Sequence, residues 1–225
     1  SKCIGTSLAK IASKIILGKT LKELELDAEI MPTNYAVKAP VFPFNKFRKV
    51  DPILGPEMKS TGEVMGQGDS FGEAFGKAVR GAGEEIPNGG NVFVSVKDTD
   101  KKHLPDLCKK LINLGFKIIA TKGTAKALEG TDIKVKTINK VLEGRPHIVD
   151  AILNKEINMI INTTEGRQAT KDSASIRRSA LEHSVFFTTT ISGGFAIVES
   201  LEKGVENWTY RSEEHTSELQ SPLDI

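Results

Sequence analysis

Apolar residues first recur at helical spacing over Leu8, Ile11, Ala12, Ile15 and Ile16, and Gly18 follows them, so the pattern predicts a helix over 7–16. Thr20 with Glu23 is a capping-box pair that predicts the start of a second short helix. Residues 35–42 read as extended, with Pro40 and Pro43 confining that piece to a sheet edge or a bend. From 43 to 69 the periodicity stops. Pro52, Gly55, Pro56, Gly62, Gly66 and Gly68 arrive in irregular order and predict a long non-repetitive segment. Ser70 and Glu73 then cap a helix that carries Phe71, Ala74, Phe75, Ala78 and Val79 on one side. Gly- and Pro-rich residues 81–90 read as a linker, and a domain boundary is expected there.

Beyond the linker, short apolar runs alternate with helical spacings. Strands are predicted over 92–96, 116–120, 133–138, 157–161 and 185–188. Between them, Leu104, Leu107, Cys108, Leu111 and Ile112 mark a helix ending at Gly115, and Thr124 opens a short one. Further helices are predicted over 147–154, 171–183 and 194–203. Strands alternating with helices imply an α/β fold over 91–210: a doubly wound parallel sheet of about five strands, covered on both faces. There is no internal repeat.

Composition narrows the function classes. Of 225 residues, 39% are hydrophobic, enough for a packed core. The 31 basic and 29 acidic residues leave a net charge of +2, which argues against nucleic-acid and membrane partners, and aromatics at 6% argue against base stacking. The two cysteines, Cys3 and Cys108, form no CxxC, and Cys108 falls on a helical apolar stripe, where it packs as a small hydrophobe. No apolar run is long enough to cross a bilayer and no signal peptide is visible, so a reduced, cytoplasmic setting is expected.

In an open parallel sheet ligands gather at the carboxyl ends of the strands. After the 116–120 strand comes Thr121-Lys-Gly-Thr124, where a tight turn, two hydroxyls and a helix start suit a phosphate. After the 157–161 strand comes Asn162-Thr-Thr-Glu-Gly-Arg167, with an amide, two hydroxyls and a guanidinium. Lys101 follows the first of these strands and Lys140 the third. Each piece alone has a plain structural reading, as helix cap or solvated charge; their common location points to one anion site. His103, His147 and His183 show no metal-ligand spacing, and Arg145-Pro-His147 reads as a helix start. Glu156-Ile-Asn158 resembles a metal motif but enters a buried strand without following cations.

At these residues a family resemblance becomes specific. Pro43-Phe-Asn-Lys-Phe47 and Asp51-Pro-Ile-Leu-Gly-Pro-Glu-Met-Lys-Ser-Thr-Gly-Glu-Val-Met-Gly66 resemble the end of the second ATP-grasp half of the carbamoyl-phosphate synthase large-subunit family. Ser95, Thr121-Lys-Gly-Thr124, Asn139-Lys-Val-Leu-Glu-Gly-Arg-Pro-His147, Ile161-Asn-Thr-Thr164 and Ile176-Arg-Arg-Ser-Ala180 resemble its C-terminal regulatory domain, which shares its fold with methylglyoxal synthase. The resemblance divides the chain into an incomplete α+β ATP-grasp remnant over 1–80, the linker, and a methylglyoxal-synthase-like allosteric domain over 91–210.

It implies a ligase making carbamoyl phosphate from bicarbonate, glutamine-derived ammonia and ATP with Mg, for arginine and pyrimidine synthesis. A small glutamine amidotransferase subunit is the implied partner, with a homo-oligomer forming through the regulatory domain. It also implies a nucleotide effector, UMP or IMP, on Ser95, Lys101, Thr121, Thr124, Lys140, Asn162, Thr164 and Arg167. No catalytic or metal residue is expected in this stretch, since the family's E-x-N-P-R metal segment is absent from it. A second, ornithine-type effector site would fall on Ala39, Phe187 and Thr189, where the acidic residue and the tyrosine of the family pattern are missing. The alternative is a methylglyoxal synthase-type phosphate-eliminating lyase, but that chemistry needs a carboxylate beside the phosphate, and after Thr164 only Glu165 offers one. Finally, Arg211-Ser-Glu-Glu-His-Thr-Ser-Glu-Leu-Gln-Ser221 matches the translation of a sequencing adapter, so 211–225 read as adapter read-through and are expected to add no element to the fold.

Overall fold

The computed structural model describes residues 1–44, 52, 54 and 57–204; the Pro43–Phe47 and Asp51–Gly66 motifs fall partly, and the 211–225 tail entirely, outside the described residues. The first part holds helix α1 (Leu8–Ile16), strands β1 (Tyr35–Val41) and β2 (Gly62–Gly68), and helix α2 (Phe71–Gly81). Strands β1 and β2 form a two-stranded antiparallel sheet, and α2 packs on both.

The remainder is a βα alternation: β3 (Gly90–Ser95), α3 (Leu104–Asn113), β4 (Phe116–Thr121), α4 (Lys122–Lys126), β5 (Val135–Ile138), α5 (Ile148–Leu153), β6 (Met159–Asn162), α6 (Gly166–Asp172), α7 (Ala174–Glu182), β7 (Phe186–Thr188) and α8 (Ile191–Glu202). The five strands β3–β7 pair in parallel in the order β5-β4-β3-β6-β7.

Side-chain alternation along the central strand divides the core. Val92, Val94 and Val96 join Leu104, Leu107, Cys108 and Leu111 of α3 and Ile197 and Val198 of α8 on one face. Phe93 and Ile160 join Ile148 and Ile152 of α5 and Ile176 and Ala180 of α7 on the other. Burying each of these large side chains contributes about 1.5–3 kcal/mol, so both helical layers are held by the sheet they cover. Chain order reverses between β3 and β6: the connections run outward through β4 to β5 on one side and through β6 to β7 on the other. That is a topological switch point, where a crevice opens at the carboxyl ends of the strands.

Several expected elements differ. The Thr20–Glu23 capping box forms, with Thr20 N donating to Glu23 Oε2 (2.8 Å) and Glu23 N to Thr20 Oγ1 (3.2 Å). It caps only a turn, because Glu25 takes φ +55° and ends propagation. The irregular segment expected over 43–69 contains β2, in which Gly66 marks close packing rather than a turn: a Cβ there would overlap the Ala74 carbonyl of α2. The helix expected over 171–183 is two helices meeting at Ser173, with the Arg177 guanidinium donating to the Thr170 carbonyl (2.8 Å) in the last turn of α6. Helix α8 starts three residues before the predicted position, at Ile191, because the Thr190 hydroxyl caps it by accepting from Gly193 N (3.0 Å).

Helix α2 also ties the two parts of the chain together. A Cβ at Gly72 would overlap the Glu199 carbonyl of α8, and Phe75 and Val79 pack on the core of the five-stranded sheet. Among the described residues no helix is long and apolar enough to cross a membrane.

Candidate functional site

Each strand near the switch point ends on a polar residue. The register of β3 on β6 sets Ser95 beside Asn162, while Thr121 ends β4 one strand over. Thr121 holds the N-cap position of α4 without a side-chain capping bond, and Thr124 sits inside that helix rather than opening it. The hydroxyls connect: Ser95 Oγ lies 3.4 Å from Thr121 Oγ1, and Thr121 Oγ1 donates to Thr124 Oγ1 at 3.2 Å. Thr124 Oγ1 in turn accepts from Val96 N at 3.2 Å, tying α4 to the end of β3. Thr121 and Thr124 are each 2% exposed, so this polar chain is built into the interior rim of the sheet.

Thr163, which follows Asn162, was not singled out in the sequence. Its backbone N–H donates to the Ser95 carbonyl (2.9 Å), and its Oγ1 accepts from Lys97 N (3.0 Å). It thereby anchors the start of the 3-10 turn Asp98–His103 that carries Lys101. Its sequence signal was present in the Asn162-Thr-Thr164 run, but nothing there told which hydroxyl would serve the backbone.

Asn162 is 3% exposed, and its Nδ2 has no hydrogen-bond partner among the described residues. A buried amide donor without a partner costs about 1–3 kcal/mol, so an unpartnered donor at the carboxyl end of a central strand marks a position fitted for an acceptor.

The cations are arranged less tightly. Lys101 Nζ lies 2.6 Å from Asp98 Oδ1 on the same 3-10 turn. The Lys101 ammonium, by hydrogen bond and then by charge, holds the Asp98 carboxyl below the usual carboxylate range, and the charge of Lys140 acts in the same direction. Lys140, beyond β5, is therefore within electrostatic reach of the same rim; its backbone N–H donates to Glu143 Oε2 (3.1 Å). Arg167 opens α6 and is exposed, and no described hydrogen bond joins it to the hydroxyl cluster. Thr164 Oγ1 lies 3.4 Å from Thr170 Oγ1, which ties the 163–165 turn to α6. Ser95, Thr121, Thr124 and Asn162 thus come together directly, Lys101 and Lys140 approach through Asp98, and Thr164 and Arg167 stand on the flanking α6 turn.

Three other predicted features resolve as structure. His147 caps α5, with Asp150 N donating to its Nδ1 (3.4 Å). Asn158 Oδ1 accepts from Asn91 N (2.8 Å), and the Glu156 carbonyl accepts from Asn91 Nδ2 (2.7 Å), so that pair fastens β3 to β6. Of the proposed second-effector residues, Ala39 lies half-buried on β1, Phe187 half-buried on β7, and Thr189 exposed just beyond β7. A groove of about 780 Å³ lies at the opposite, amino ends of β6 and β7, lined in part by Arg80, Glu84, Lys155 and His183, away from the hydroxyl cluster.

Residues 103–189 match the family model of the MGS-like domain. Over 211 residues the chain is 60% identical to the carbamoyl phosphate synthase large chain of Pseudomonas putida, covering 94% of this chain and 20% of that protein. The large chain of Pseudomonas syringae pv. tomato matches to the same extent, at 60% over 211 residues. That of Xanthomonas axonopodis pv. citri is 52% identical over 202 residues, covering 90% of this chain and 19% of the relative. The chain thus spans 20% of the length of the first of these relatives, and the MGS-like match includes the strand ends that carry Thr121 and Asn162. The chain belongs to the carbamoyl phosphate synthase large-chain family, corresponding to its C-terminal region, and residues 103–189 are its MGS-like domain.

Proposed function

We propose that this chain is the regulatory end of a carbamoyl phosphate synthase large chain, and that the strand-end site binds the phosphate of a nucleoside monophosphate effector, UMP or IMP. The observation that carries the reading is the Asn162 amide, buried at the end of β6 with its Nδ2 unpartnered, beside the Ser95–Thr121–Thr124 hydroxyl chain. Phosphate oxygens supply the acceptor that this donor lacks, and Lys101, Lys140 and Arg167 supply the charge. Thr164 completes the site from the turn before α6.

In this reading the whole large chain makes carbamoyl phosphate from bicarbonate, glutamine-derived ammonia and Mg-ATP, with a small amidotransferase subunit as partner. The metal ligands for phosphoryl transfer belong to its other parts, so this chain alone is not the catalyst. Ala39, Phe187 and Thr189 are the degenerate remnant of a second effector site. A lyase of the methylglyoxal synthase type is disfavoured by the acids nearby: Glu165 is exposed ahead of α6, and Asp98 is paired with Lys101.

Calorimetric titration of the whole chain with UMP and IMP tests the site. Arg167→Ala is the cleaner variant, because Arg167 is exposed and no described contact depends on it; Thr124→Ala also removes the partner of Val96 N. Each should weaken binding by about 1–3 kcal/mol, the scale of a charge-assisted hydrogen bond. Unchanged affinity in both variants would put the nucleotide elsewhere.

A further inference from the structure

One of the three cations assigned to the site is already engaged. Lys101 Nζ sits 2.6 Å from Asp98 Oδ1, with Lys101 32% and Asp98 91% exposed. The pair stands on the 3-10 turn Asp98–His103, whose start is fastened to the site by Thr163. A carboxylate in this position presents to Lys101 what a phosphate oxygen would present. It is also exposed and on the same turn as Lys101, so a phosphate that engages Lys101 brings any further negative charge toward it. Like charges within a Debye length, about 8 Å at physiological ionic strength, repel measurably even under salt.

Resting on the anion-site reading, we infer that Asp98 is a specificity-determining residue: a tethered anion that competes for Lys101 and makes the site select a phosphate monoester against nucleoside di- and triphosphates. Among the three cations assigned to the site, Asp98 cancels one. The positive charge left over suits a monoester dianion, and a longer phosphate chain brings charge with no cation left to meet it. The competitor is exposed, and an exposed ion pair is weak, so a monoester can displace it from Lys101 at small cost. The carboxylate that then stands free at the rim opposes a second phosphoryl group.

The test is calorimetric titration of the whole chain with UMP, UDP and UTP, without divalent cations, for the wild type, Asp98→Asn and Lys101→Met. Asp98 is exposed, so Asp98→Asn is expected to melt at the wild-type temperature. Wild type should bind UMP most tightly of the three. Asp98→Asn should bind UMP about two- to fivefold more tightly, the range of an exposed ion pair, and UTP should gain more, so that the UMP-to-UTP ratio narrows. Lys101→Met should weaken UMP binding. If Asp98→Asn binds UMP more weakly, or leaves the UMP-to-UTP ratio unchanged or wider, the selective role of Asp98 is wrong while the nucleotide site stands. If neither wild type nor Asp98→Asn binds any of the three nucleotides, the anion-site reading itself fails and takes this inference with it.

Discussion

Single residues at the site were legible wherever strand order alone decides their position. Thr121 and Asn162 each follow an apolar run, and the carboxyl end of a parallel strand is where such residues meet a ligand. What the linear pattern cannot carry is pairing: that Thr163 serves the Lys97 amide, or that Lys101 is held by Asp98, depends on how a turn closes in space. The same holds for the second-effector positions. Along β1, Val37, Ala39 and Val41 point to the half-buried side, while Lys38 pairs with Glu63 (2.6 Å) on the outer one. Ala39 therefore stands on the inward row with no carboxylate to offer a cationic ligand. We expect ornithine to activate the assembled synthase weakly or not at all, and Ala39→Glu with Phe187→Tyr to strengthen the response about tenfold, the worth of one charged hydrogen-bond partner. Activation assays at subsaturating ATP decide this, and strong ornithine activation of the unaltered enzyme would contradict it.

At the scale of elements, the parallel sheet was readable because strands buried on both faces are near-continuous apolar runs, as 92–94 and 159–161 are. Boundaries moved by a few residues where a cap decided them, as with Thr190 at α8. Strand β2 was missed for a more informative reason. Its glycines mimic turn signals, yet at Gly66 the absent side chain is what lets α2 lie on the strand. The same device recurs at the α2–α8 crossing, where Gly72 meets the Glu199 carbonyl. Gly72→Ala should therefore lower stability by about 1–3 kcal/mol through overpacking against backbone that cannot rotate away. Gly123→Ala is the matched control: it lies in helix α4 with open space around its Cβ position, and it should be neutral or slightly stabilising. Thermal melts of the two variants side by side check this, and equal melting temperatures would mean that the α2–α8 contact yields without cost.

At the scale of the whole molecule, the expected linker over 81–90 separates two kinds of packing rather than two independent cores. Phe75, Val79 and Ile86 lie on or beside the core of the five-stranded sheet, so α2 is stabilised from the far side of the linker. On the near side there is little to replace it. Helix α1 has no buried residue, and Ile16 and Leu17 are 84% and 85% exposed, so most of its apolar stripe faces solvent. A two-stranded sheet with one helix is below the size at which a single layer supports itself. Residues 1–80 expressed alone should therefore show little hydrogen-exchange protection and no cooperative melt, whereas the α2 amides should be well protected in the full chain. The comparison is direct, because the same amides are read with and without α8 beneath them. Strong protection of α2 in the 1–80 piece would mean that β1 and β2 suffice to hold it, and that the contact with α8 joins two units already stable on their own.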